Sequence, residues 1–191
     1  MSVLLDVLGS VIIGGMLILM MMTFQLQLHE SAGRIYYMSS MIDHMDVAAT
    51  KVNKTFALAG IGIPPDSVCV IAATNRVVFK TFWNCNSDTL SATRHLIEMK
   101  IATVTNPYGG KALLLTQDGA PMEDLGYIFY IEAMVIKYFD KNDAQTTQPG
   151  LVRSAEIFFT FRRDSPWNPT QPLRSNLQVK CFFMNSYLQG A

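Results

Sequence analysis

Residues 7–28 carry no charged side chain, and residues 11–24 within them are nearly all Ile, Leu, Met, Val and Gly. In an α-helix these 22 residues rise about 33 Å, close to the ~30 Å hydrocarbon core of a bilayer. The run is apolar on every face, whereas a helix resting on a soluble core shows one apolar stripe. Gln25 and Gln27 mark its edge, and His29, Glu30 and Arg34 bring the chain back to water. A signal peptide needs a basic flank, a shorter apolar stretch and a small-residue cleavage site. Here no Lys or Arg precedes the run, and a helical pattern continues past it.

That pattern is carried by Ile35, Met38, Ile42, Met45, Ala49, Val52, Phe56 and Ala59. Their alternating steps of three and four make an apolar stripe along one helical face. Asp43, Asp46, Lys51 and Lys54 fill other positions, and no proline interrupts residues 1–60. Gly60, Gly62 and the pair Pro64-Pro65 then stop the helix, because Gly suits a C-cap and Pro cannot continue the ladder. The spacing predicts one helix of nearly sixty residues, roughly 85–90 Å long. Its first half is lipid-compatible and its second half is amphipathic.

Strand signals separated by turn residues dominate the remainder. Residues 67–73 and 76–83 flank Thr74-Asn75 as a hairpin, and residues 91–99 read as a short helix. Strands at 101–105 and 111–116 are joined by the turn Asn106-Pro107-Tyr108-Gly109-Gly110. A longer strand follows at 127–139, then a polar loop at 140–150. Residues 152–161 alternate, with Ala155, Ile157, Phe159 and Phe161 on one face. A proline-rich loop at 165–172 leads to a last strand near 177–183. The predicted class is α+β, a long N-terminal helix laid on an antiparallel sheet. It divides into an apolar half-helix at 1–28, an amphipathic half-helix at 29–60 and a β-rich head at 61–191.

Several function classes find no support. Net charge is zero, so no nucleic-acid partner is implied. Ser, His and carboxylates occur without a nucleophile-elbow or metalloprotease pattern, and no catalytic residue or cofactor is expected. Asp140, Asn142 and Asp143 resemble part of a calcium loop, but Leu151 stands where the closing Glu belongs, which favours a solvated turn. Met16, Met20, Met21 and Met22 read as flexible packing groups rather than metal ligands. Cys69, Cys85 and Cys181 form no CxxC pair. In an exported head one disulfide fits, with Cys69 and Cys85 the local choice; three buried free thiols fit equally. In the apolar half, Gly9, Ser10, Gly14 and Gly15 are small residues of the kind that let helices approach closely in lipid.

The segment Ser2-Val3-Leu4-Leu5-Asp6-Val7-Leu8 resembles the mature start of type IV pilins and type II secretion pseudopilins, with Asp6 in place of the family's early glutamate. Val11-Ile12-Ile13-Gly14-Gly15-Met16-Leu17 is similar to the Gly-containing apolar core that follows. Further on, Ala57 to Ile63, Ile71 to Asn75, Met122 to Ile128, Lys137 to Asp140 and Leu151 to Ile157 are nearest to the larger minor pseudopilins and minor pilins of the J and W types. Pilin precursors carry a basic leader ending in Gly, so a chain that starts at Met1 reads as mature or leaderless.

What the resemblance implies is a structural subunit, not an enzyme. It would assemble through its apolar helix with copies of itself or related pilin-like subunits. It would wait in the bacterial inner membrane with its head exported, then enter an extracellular or periplasmic filament. Asp6 would neutralise the terminal amine of a neighbouring subunit, at Met1 or Ser2, and Gly9, Gly14 and Gly15 would line the helix contacts. The alternative is a single-span anchored domain that binds a partner without polymerising.

Overall fold

The computed structural model describes residues 2–105, 109–122, 130–164 and 171–189. Helix α1 runs unbroken over Ser2–Ala57. Gly60 and Gly62 end it with φ of +76° and +71°, a region that costs an L side chain strain and glycine little. At Gly60 a Cβ would also lie 2.8 Å from Val68 Cγ2, so both backbone and space require glycine there. The chain leaving the helix is stitched to the sheet at once. Gly60 N–H donates to Lys80 O and Phe82 N–H to Ile61 O, while Lys80 N–H returns to Val68 O.

Two compact units divide the chain, Met1–Ser40 and Met41–Ala191. In the second, eight antiparallel strands are found among the described residues: β1 (Cys69–Ala73), β2 (Arg76–Asn84), β3 (Thr89–Thr105), β4 (Lys111–Gln117), β5 (Ala120–Pro121), β6 (Ile131–Phe139), β7 (Ser154–Arg163) and β8 (Leu173–Phe182). Their order is β1-β2-β3-β4-β6-β7-β8, with β5 paired to β4. A short helix, α2 (Met184–Gln189), follows. Among the described residues, strands β4 and β6 pair at Lys111 and Ile131 alone. Beyond that bridge the β1–β2 turn closes the gap. Ile136 N–H donates to Thr74 O, and the Tyr138 hydroxyl lies 2.8 Å from Ala73 O and 3.1 Å from Arg76 O.

One face of this sheet takes the amphipathic end of α1. Met41, Ala48, Val52 and Phe56 are fully buried, and the Phe56 ring sits 5.4 Å from Phe79 and 5.2 Å from Phe183. The α+β class therefore holds: a long helix packs on an antiparallel sheet.

Three expectations need correction. The helical stripe is rotated by one residue at its upper end: Met41 is buried while Ile35, Met38 and Ile42 are exposed. Residues 91–99 are strand, not helix. Opposite the single residue Phe82, β3 carries residues 91–94 as a bulge between the Thr81–His95 and Trp83–Leu90 pairs. The extra residues break the period-two pattern. The last strand also begins at Leu173 rather than near 177. The segment at 123–128, the 165–172 loop up to 170, Trp167, the 106–108 part of the turn and the start of the 127–139 strand lie outside the described residues.

Candidate assembly helix

Seventeen large apolar side chains between Val3 and Leu28 are exposed, each by more than half of its surface. This part of α1 is long and apolar enough to cross a membrane, and its richest 18-residue window has a mean hydropathy of 2.3. Leaving such side chains in water forfeits roughly 1.5–3 kcal/mol each, so the surface demands lipid or other helices.

Polar groups within the run are arranged for an apolar medium. Ser10 Oγ donates to Val7 O and Thr23 Oγ1 to Leu19 O, both at 2.8 Å. Hydroxyls bonded back to their own helix need no external partner. Asp6 differs, since its exposed carboxylate has no hydrogen bond or ion pair among the described residues. Met1 and the side chain of Ser2 lie outside them.

Gly9, Gly14 and Gly15 complete the picture. A Cβ at any of the three meets no atom within 4 Å. Each costs the helix about 1 kcal/mol relative to Ala, and nothing among the described residues uses the space they leave.

In the head, the sequence candidates separate. Asp140 Oδ1 accepts the N–H groups of Asn142 and Ala144, and the Asp143 carboxylate lies 3.4 Å from Lys180 Nζ. Asp143 itself has φ +58°. The loop is a self-bonded Asx turn.

All three cysteines are free, Cys69 and Cys181 buried and Cys85 half-buried, so of the two arrangements open in the sequence the structure holds the free thiols rather than a Cys69–Cys85 bridge. Cys69 is paired across the ladder with Phe79. Six residues of extended chain, about 20 Å at ~3.3 Å each, separate Phe79 from Cys85. A disulfide requires Cα atoms within roughly 7 Å. Burial pushes the Cys69 and Cys181 thiols up to about 12 and Cys85 up to about 11, so none is primed as a nucleophile.

Other charged constellations escaped sequence reasoning because their members are far apart in the chain. Buried Arg153 donates Nη1 to Gly150 O and Val152 O, and Nη2 to Asp66 Oδ1 at 2.8 Å. It ties the Pro65–Ser67 turn to the Pro149–Leu151 turn. Glu132 is held by Arg174 through two bonds of 2.9 Å and by Arg162 at 3.4 Å. His95 Nδ1 lies 2.6 Å from Asp118 Oδ2. His44 stacks edge-on against Tyr130 at 5.0 Å, and burial together with Arg163 lowers its pKa against the pull of Asp43. The exposed Ile42, Asp43, Asp46 and Val47 face of α1 also escaped, because the apolar spacing places Ile42 in the stripe that the structure turns by one residue.

No protein-family profile matches the chain, and no curated protein matches it either. Among solved structures, a type IV-like pilin from Thermus thermophilus superposes with a TM-score of 0.53 at 9% identity, over 76% of this chain and 96% of that one. At that identity the likeness is one of architecture, and the resemblance carried by the N-terminal residues agrees with it. The chain has the fold of a type IV pilin-like protein.

Proposed function

We propose that this chain is a structural subunit of a type IV pilus-like or pseudopilus-like surface filament, assembled through its N-terminal apolar helix. The observation that carries this reading is the exposed apolar surface of residues 3–28 on a helix continuous with the head's own core helix. A lipid anchor alone needs the apolar length. Unused glycines at 9, 14 and 15 fit a further requirement, close approach of neighbouring helices in an apolar medium.

Asp6 takes the part of the early glutamate, pairing with the terminal amine of the next subunit. An ionised carboxylate costs ~2.5–3.5 kcal/mol at the centre of a spanning helix on insertion scales and less towards its ends, and a matched amine offsets that cost only at the correct axial register. Subunits stacked heterologously about an axis that does not close give an open filament. Its subunits would be copies of this chain or related pilin-like chains, drawn from the bacterial inner membrane with their heads exported. The J- or W-type minor subunit is the nearest family role, carried by the motif resemblance alone. No catalytic step enters this reading.

Electron microscopy of sheared surface material, with peptide mass spectrometry of the fibres, tests it. Fibres containing this chain are expected. A chain confined to the membrane fraction, with no fibre, overturns the filament reading in favour of an anchored, non-polymerising domain.

A further inference from the structure

On α1 the buried face of Met41, Met45, Ala48, Val52 and Phe56 has an opposite face, carried by Ile42, Asp43, Asp46 and Val47. At 100° per residue these four fall within about 140° of one another. Ile42 and Val47 are exposed by 56% and 39%. Asp43 and Asp46 are exposed as well, and neither has a hydrogen bond or ion pair among the described residues. Their i±4 neighbours are Ser39, Val47, Ile42 and Thr50, so no helix-surface base offsets the two charges.

A second surface of the same unit is its chemical complement. On β3, Leu90 and Leu96 flank the bulge in register with Trp83 and Lys80 and are 67% and 43% exposed, with exposed Arg94 between them in sequence. The Arg94 guanidinium likewise has no hydrogen bond or ion pair among the described residues. Bulges commonly re-aim side chains away from a ladder. The foot of this arm is fixed to the same helix, where Lys54 Nζ pairs with Asp88 at 3.2 Å. Lys54 lies eight residues beyond Asp46, about 12 Å along the axis. The one carboxylate bonded on the arm itself, Asp118, is taken by the Leu96 N–H and His95, so Arg94 and the two helix carboxylates are each left without a partner among the described residues.

We propose that the Ile42, Asp43, Asp46 and Val47 face of one copy receives the Leu90, Arg94 and Leu96 arm of a second copy, as a contact between neighbouring heads. The inference rests on the filament reading and names the partner surface that reading lacks. Two carboxylates meet one guanidinium, and two aliphatic pairs cover each other around them. Because the contacting patches differ, the interface is heterologous and repeats along a stack of subunits. Opposite charges set the register, and a like-charge exchange opposes it.

The test uses the full chain in its host membrane, with Cys85→Ser removing the half-buried thiol. One copy carries Leu90→Cys and a differently tagged copy carries Val47→Cys. Mild oxidation is expected to give a mixed dimer, and neither variant alone gives one. Adding Arg94→Glu to the first copy lowers the yield by about tenfold, and Asp43→Lys with Asp46→Lys in the second restores it. Equal membrane levels of every variant show that each has folded. No mixed dimer beside normal wild-type fibres overturns this contact and leaves the filament reading intact. A mixed dimer insensitive to the charge exchange overturns the pairing as well. A charge-dependent mixed dimer without wild-type fibres supports the contact between copies and overturns the filament. Neither dimer nor fibre overturns both.

Discussion

Helix α1 is a single element of regular backbone, yet its two stretches meet opposite fates. Between Val3 and Leu28 its large apolar side chains are exposed, whereas Met41, Ala48, Val52 and Phe56 are fully buried. Polar groups divide the same way. The back-bond of Thr55 Oγ1 to Lys51 O repeats that of Thr23 to Leu19 O, but in the head Thr81 Oγ1 also reaches across to Leu58 O. Asp6 has no partner among the described residues, and the glycines at 9, 14 and 15 face open space. The second stretch is explained by its own chain. The first is explicable only by what lies outside it, which makes composition there a record of environment rather than of fold.

The widest gap between the two stretches is expected from one substitution made in each. Phe56→Ala removes a ring packed against Phe79 and Phe183 and should cost the head about 3–5 kcal/mol. Phe24, 61% exposed, touches no such core, and Phe24→Ala should leave head stability within ~0.5 kcal/mol. Denaturant titration of the detergent-solubilised chain, followed through Trp83 fluorescence, measures both. A comparable loss from Phe24→Ala would break the comparison.

Next comes the buried guanidinium. Arg153→Met leaves the Gly150 and Val152 carbonyls without their donor and should destabilise the head by about 1–3 kcal/mol. Asp66 is 85% exposed, so Asp66→Asn should cost under ~1 kcal/mol in the same titration. Asp6→Asn, by contrast, should leave the titration unmoved and lower fibre yield, because its partner is expected on another subunit.

These contrasts also explain what could be read in advance. The absence of charge over 7–28, the Gly and Pro stop at 60–65 and the alternation of Ala155, Ile157, Phe159 and Phe161 are local signals with one physical solution each. They carried the helix, its end and β7. Residues 91–99 failed because a bulge at 91–94 hides the alternation that resumes at Ile97, Met99 and Ile101. Leu173 was missed as a strand start because Ser175 and Asn176 dilute the apolar pattern. Cys69 and Cys85 are close in sequence, but an extended strand carries neighbours apart by about 3.3 Å per residue. The residues proposed for assembly, Asp6 and the glycines at 9, 14 and 15, stand out by what they lack, since none is used by its own chain among the described residues.

Glycine exchange sharpens the comparison at a smaller scale. Gly14→Ala and Gly15→Ala should each stabilise the isolated helix by about 1 kcal/mol, read by circular dichroism in detergent. Fibre yield should fall at the same time if the space left by glycine is filled by another helix. Helicity rising with no change in fibres would remove these residues from the interface.

The smallest effect concerns acid. Burial alone would raise the Glu98 pKa, but its hydrogen bond to Lys100 and the charges of Arg76 and Lys100 outweigh burial and hold it low. At Asp118 burial is likewise overcome by the Leu96 N–H and His95, and at Glu132 the Arg174 bonds lead. A carboxyl held below its unfolded value binds its proton less readily in the native state. Its stabilisation is complete above the unfolded value, about 4–4.5, and is lost as pH falls through the folded value. The denaturant midpoint of the head should therefore decline below about pH 4.5, and Glu98→Gln should make that decline shallower while lowering the midpoint at neutral pH. The first forty residues hold no ion-paired carboxylate among the described groups, so this acid response belongs to the head. An acid limb as steep after Glu98→Gln as before it would mean that the Arg76 and Lys100 pairing does not stabilise the head. The contrast between a head explained by its own contacts and a helix start without them would then fail there.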